Sequence, residues 1–299
     1  MERNMASLPR ASSATITRRD VSIPHQLPTP YFFHDHNPVV SALFVVMSAM
    51  FPPGELFFIE SVRHFRDQIT DKALLADIRA FIAQEAFHSR EHKSLNTLLI
   101  NLGYPEVTEI EAKTKARLDV LRNLTPKDQL ACTVVSEHLT ANLAKLLLTD
   151  RFIQAKTSQE TKNLWEWHAL EELEHKSVAF NVLNAVGANS QVRRTRALLR
   201  VTRDIAPIMF EYWFKILARK DISFSLRELR EAIYVAFGGI DRLGILTRAF
   251  TGMLDIMLKN FSPENMNTDA LEAEYRQKLF GDAGVLAARV KVPQNVLPA

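Results

Sequence analysis

The chain has 299 residues, 47% of them hydrophobic and 24% charged, with a formal net charge of +3. That balance excludes a disordered chain and gives no global basis for nucleic-acid binding. The single cysteine, Cys132, excludes an internal disulfide and suits a reducing compartment, so the expected location is cytoplasmic. Only 9 glycines, against many Ala, Leu, Glu and Arg, favour helices over strands.

Residues 1–37 read as a flexible N-terminal arm, rich in Ser, Arg, Pro and His, with no periodic apolar face. His25, His34 and His36 lie there and are expected to be solvated. No secretory signal is read at the N-terminus. The apolar run Val39 to Phe51 is too short to span a bilayer and reads as a buried helix. Pro52 and Pro53 interrupt it, and a new segment carries Glu55 in a strongly apolar setting. A carboxylate there must be paired, protonated or on a metal, or else cap a first turn.

Thr70-Asp71 predicts an N-cap for a helix from Lys72 to Leu102, stopped by Gly103 and Pro105. It contains Glu85-x-x-His88, followed on the same face by His92 and Asn96. A charged helix near Thr108 to Leu121 precedes Thr125-Pro126, which opens a helix to about Ala155. Glu137 is the one acid in its apolar middle, and His138 reads as a hydrogen-bonded core residue. Ser158 is expected to open a helix running to Val186. It carries His168, Glu172 and His175, which fall within a sector of roughly 60°. Glu171 and Glu174 point away from that face and are expected at the rim or surface. Helices then follow over Val192–Leu217, Ser225–Phe237, Leu243–Lys259 and Thr268–Leu279. Arg193, Arg194, Arg196, Arg200 and Arg203 read as a solvated face, with a membrane-surface role open. The apolar run Ile205–Leu217 reads as core or dimer interface.

Taken together, four long helices supply Glu55, then Glu85 with His88, then Glu137, then Glu172 with His175. One Glu from each of two helices and a Glu-x-x-His from each of the other two is the pattern of ferritin-like dinuclear carboxylate bundles. Four carboxylates balance two divalent ions, and mixed carboxylate and imidazole donors suit iron, with manganese or zinc as alternatives. His168 is the preferred extra ligand over His92, and a hydrogen bond to a ligand is the alternative for either. The expected architecture is all-α: a ferritin-like four-helix bundle over 38–190, a C-terminal helical extension over 191–285 and a tail over 286–299.

The stretches Phe51-Pro52-Pro53-Gly54-Glu55, Gln84 to His92 and Trp167 to Lys176 resemble the bacterial family described as predicted metal-dependent hydrolase, over roughly residues 38–280. That resemblance implies a metal more firmly than it implies hydrolysis. The pattern of Glu55, Glu85, His88, Glu137, His168, Glu172 and His175 is more remotely similar to the di-iron arylamine N-oxygenases, which use seven protein ligands. The substrate does not carry over.

Three functions follow as expectations. The first is a di-iron oxidase or oxygenase acting on a small organic substrate with an electron donor, its pocket lined by Phe57, Phe58, Phe81, Phe87 and Trp167. The second is a hydrolase using metal-bound hydroxide. The third is non-enzymatic iron binding, which the C-terminal extension disfavours. A homodimer is an expected use of the late apolar helix, and no nucleic-acid partner or membrane span is expected.

Overall fold

The computed structural model describes residues 16–25, 37–157 and 159–291. Among them the regular elements are helical, and the β pairing consists of isolated bridges, Val21 with Val290 and Gly238 with Leu243. The fold is an all-α bundle. His34, His36 and Ser158 lie outside the described residues.

Helix α1 (Pro38–Arg63) starts at Asn37, whose side chain accepts from the Val39 and Val40 amides at 3.0 and 3.2 Å. Pro38 occupies the first position, where no amide donor is needed. The break expected at Pro52 and Pro53 does not occur: both lie inside one continuous helix. A proline leaves the carbonyl four residues back without its donor. For Pro52 that is Ser48, and the Asn96 side-chain amide donates to this carbonyl at 3.2 Å. The stretch Pro38–Gln68 has the length and composition to cross a membrane, but 72% of its most apolar window is buried inside the protein.

Helix α2 (Lys72–Asn101) is capped by Asp71 and followed by Gly103 at φ 99°. After α3 (Glu106–Arg122), α4 (Pro126–Thr149) is capped by Thr125. It stops short of Ala155 because Asp150 leaves the helix to cap α5 (Arg151–Lys156) and to accept from Arg242 and Arg248. Helix α6 (Gln159–His175) ends before the expected Val186, and α7 (Val178–Ala185) restarts after a turn. Buried Lys176 donates to the Leu173 carbonyl at 2.9 Å, the acceptor that the Ser177 amide would need to continue the helix.

The later chain forms α8 (Gln191–Asp204), α9 (Ala206–Leu217), α10 (Leu226–Ala236), α11 (Ile245–Gly252) and α12 (Asp269–Phe280). Pro207 separates α8 from α9, which the sequence reads as one helix. Arg194 is not solvated: it is buried and donates to the Ile256 and Leu258 carbonyls at 3.0 and 2.7 Å. Trp213 of α9 is likewise buried and donates to the Val39 carbonyl at 2.8 Å. Helices α9 and α10 lie against α1, α8 and α11 against α4, and α12 against α6.

The apolar interior is divided in two. One cluster includes Leu43, Leu99, Leu148 and Leu170, and the other includes Phe57, Ile78, Val135 and Val182. On each of α1, α2 and α4, acids stand where the helix passes from one cluster to the other: Glu55, Glu85 and Glu137. His175 ends α6 at the same level.

Asn96 therefore supports α1 from outside it. Asn96→Leu is expected to lower stability by roughly 1–3 kcal/mol through the unpaired Ser48 carbonyl. Denaturant unfolding measures this, and an unchanged midpoint would contradict it.

Candidate metal centre

Glu55, Glu85, His88, Glu137, His168, Glu172 and His175 all meet in the polar layer, and each is at least 96% buried. Two groups of three donors form around it: Glu55 with His88 and His168, and Glu85 with Glu137 and His175. Within each group the donor atoms lie within 4.8 Å of one another. Glu172 lies between them. Its carboxylate is 2.9 Å from His168 Nε2, 3.7 Å from His88 Nδ1 and 3.5 Å from His175 Nε2. Glu85 is shared too, since it also groups with His88 and Glu172.

The donors fit a metal. Both carboxylate oxygens of Glu55, Glu85 and Glu137, His88 Nδ1 and His175 Nε2 are buried without a hydrogen-bond partner among the described residues. Buried polar atoms are nearly always paired, so orphaned donors aimed at one volume point to an absent cation. His175 Nε2 is 3.1 Å from Glu85 and 3.3 Å from Glu137. Atoms held about 2.1 Å from one ion stand about 3.0–3.4 Å apart.

Outside these donors, hydrogen bonds fix each imidazole. His88 Nε2 donates to Glu171 at 3.1 Å, which leaves Nδ1 facing the centre. His175 Nδ1 donates to the Gln84 side-chain oxygen at 3.2 Å, which leaves Nε2 facing it. His168 is set by a longer chain. The Asn96 amide nitrogen donates to Glu111 and to the Ser48 carbonyl, so its oxygen accepts from the Ser48 hydroxyl at 2.7 Å. The Ser48 oxygen then accepts from His92 Nδ1 at 2.9 Å, and His92 Nε2 accepts from His168 Nδ1 at 2.7 Å. His168 Nε2 thereby faces the centre, 2.9 Å from the Glu172 carboxylate. His92 holds His168 and is not itself in either donor group.

The sequence reading missed Glu171, Glu174 and Arg19. Neither acid is at the rim; both side chains are buried. Arg19 donates to Glu171 at 3.1 Å and to Glu174 at 2.8 and 2.9 Å. Gln84 donates to the Thr17 carbonyl at 3.1 Å, and the Ile23 amide to Glu91 at 2.9 Å. Residues 16–25 therefore pack behind the centre, where the sequence predicted a loose arm. His25 sits half-buried with Nε2 3.2 Å from the Glu91 carbonyl, and burial lowers its pKa. A cluster of acids with one distant arginine was the available signal, since buried acids need partners.

The expected aromatic lining is also corrected. Trp167 packs edge-on against His88 at 4.9 Å and Phe81 against His175 at 5.0 Å, both as core behind the ligands. Phe57 is core, and Arg90 covers the half-buried Phe87. The cavity beside the centre is lined instead by Phe44, Phe51 and Trp165. His138 bonds the Gly252 carbonyl at 3.1 Å, and burial pushes the Cys132 thiol up to about 12, leaving it inert.

Burial, reinforced by the neighbouring carboxylates, holds Glu55, Glu85 and Glu137 well above the usual carboxylate range. Burial opposes ionisation of Glu172 as well, but His175 and His168 outweigh it and hold that carboxyl low. Burial pushes Glu171 up to about 8 against the pull of Arg19.

A bundle that buries such donors between two halves of its core has the make-up of a helical metalloprotein. The chain belongs to the family described as predicted metal-dependent hydrolase, whose family model matches residues 17–267. No curated protein and no solved structure gives a match.

Two outcomes are expected. Metal-free folded protein keeps protons on Glu55, Glu85 and Glu137, and on Glu171 up to about 8, that the unfolded chain has lost, so its stability falls as pH rises above neutrality. The neutral-held His88 and His92 act oppositely, but only below about 6.5. Thermal melts at pH 7 and pH 9 should show the fall in metal-free protein and little of it after metal loading; equal slopes would contradict it. Arg19→Met should weaken metal binding about 10- to 100-fold, as loss of a partner behind the ligands does. Competition with a chromophoric chelator measures this, and unchanged affinity would show that Arg19 does not support the centre.

Proposed function

We propose that the protein is an enzyme with a dinuclear metal centre that acts on a small molecule bound beside it. The observation that carries this reading is the pair of adjacent donor groups that share Glu85 and Glu172. Glu55, His88 and His168 would hold one ion, Glu137 and His175 the other, and the two shared carboxylates would bridge. Four carboxylates offset the four positive charges of two divalent ions, so the pair is neutral inside an apolar interior.

Hydrolysis is the reaction that the family description supports. When bound, the ions would supply a Lewis acid and a water of lowered pKa. The chain's own part is to aim imidazole nitrogens and carboxylates at the centre, hold Glu172 ionised through His175 and His168, and exclude bulk water. Glu171 and His92 keep the His88 and His168 tautomers fixed while charge changes at the centre. Phe51, 4.8 Å from His168, walls the substrate side.

Dioxygen-dependent oxidation is the second reading, and a specific observation favours it. Among the described residues the cavity beside the centre offers Thr140 as its one hydroxyl outside the seven donors, and that hydroxyl already donates to the Glu137 carbonyl at 3.1 Å. Among the described residues a hydrolytic leaving group would find no acidic side chain there beyond the donors themselves. The seven-donor pattern, similar to that of the arylamine N-oxygenases, supports the same reading, and iron is the metal it calls for.

The test is reconstitution of metal-free protein with ferrous iron, manganese or zinc. It is followed by ester turnover without oxygen and by oxygen uptake of the ferrous form. Ester turnover by any loaded form in the absence of oxygen supports hydrolysis. Oxygen uptake that scales with bound iron, without ester turnover, supports oxidation; neither response would contradict an enzyme. Glu137→Ala should leave about one ion per chain with the fold intact, as read by metal analysis and circular dichroism. Two retained ions would overturn the ligand assignment.

A further inference from the structure

A groove runs along the bundle and ends at the metal centre. On α1 its wall is Phe44, Met47 and Phe51, spaced three and four apart; on α4 it extends from Thr140 to Leu147, and on α6 from Trp165 to Glu172. Each wall is a single stripe of two helical turns, so the groove is roughly 10 Å long and parallel to the helix axes. The three walls agree in direction. Phe51, Thr140 and Glu172 mark the end nearest Glu55, Glu137 and His175, and Phe44, Leu147 and Trp165 mark the far end. Ile153 of α5 and Ile245 of α11 complete the lining.

Among the described residues the lining is apolar except for Thr140, the Trp165 indole N–H, His168 and Glu172. Thr140 and Glu172 stand at the metal end, and His168 belongs to the centre itself. Among the described residues no lysine or arginine lines the groove, so a phosphate or other anionic group has no counter-charge from them along its length. The aromatic side chains are committed to one another: Phe44 meets Trp165 edge-on at 4.9 Å, and Phe51 packs on His92 and His168, each at 4.8 Å. Width comes from Ala144 and Ala169, two small residues on α4 and α6 part-way along.

From this shape we propose that the groove takes a linear aliphatic chain of about eight carbons, matched to a length of roughly 10 Å, with its functional end at the metals. The proposal deepens the reading of a metal enzyme and rests on it for the role of the inner end. The chemistry that recognises this ligand is burial of methylene groups, with no head-group recognition outside the centre.

The test is calorimetric titration of the full chain, metal-free and zinc-loaded, with straight-chain alcohols from butanol to dodecanol. Each added methylene should tighten binding about fourfold, up to about octanol, and further carbons should add little. Ala144→Leu should move that break to shorter chains, and Leu147→Ala, at the far end, to longer ones. Affinity independent of chain length would overturn the proposal. So would a break that neither variant moves, or equally tight binding of aromatic alcohols of the same carbon number. Metal content measured on the same samples separates the two readings. A chain-length series without metal uptake overturns the enzyme and leaves the groove; two ions without a series overturns the groove and leaves the enzyme.

Discussion

Four carboxylates buried within a few ångströms of one another are the constraint on which the rest of this structure depends. Glu55, Glu85, Glu137 and Glu172 lie in a layer with apolar clusters on both sides. Water cannot solvate them there, and their mutual repulsion is poorly screened. Without a cation, burial and mutual repulsion favour protons on Glu55, Glu85 and Glu137. With cations the same groups would become ligands that hold the four helices in register, which would couple metal binding to folding.

The arrangement is directional because of what lies behind the ligands. Each imidazole has one nitrogen committed outward, to Glu171, to Gln84 or to His92, so the other faces inward. These outer partners are themselves held. Arg19 bridges Glu171 and Glu174, Asn96 anchors Ser48 and His92, and Arg276 reaches Glu174 at 2.6 Å from α12. The N-terminal segment and the last helix thus converge on the back of α6. One residue, Asn96, both repairs the hydrogen bond that Pro52 removes from α1 and polarises the chain that orients His168.

Much of the candidate centre was legible in the sequence, because which donors share a helix face is set by spacing. Glu85-x-x-His88 and His168-x-x-x-Glu172-x-x-His175 need only a helical period to place their donors on one face. Lone Glu137 stood out because an acid in an apolar helix needs a reason. What stayed hidden depends on contacts between helices. Glu171 points away from the Glu172 face, which on an isolated helix means solvent, but here His88 of α2 occupies that direction. Arg19 lies 152 residues from Glu171, so no local pattern joins them. The continuity of α1 through Pro52 is invisible for the same reason, since its rescue comes from α2. The aromatic lining was misplaced because the residues next to the ligand motifs pack behind them, while the cavity lies a turn or two further along α1 and α6.

X-ray absorption on the iron- or zinc-loaded protein tests most directly whether two ions share Glu85 and Glu172 in one centre. Two such ions should give light-atom scattering from mixed oxygen and nitrogen donors, together with a metal–metal contribution at the ~3.5–4 Å separation of carboxylate-bridged pairs. A single ion per chain, with no metal–metal contribution at full loading, would contradict the shared centre.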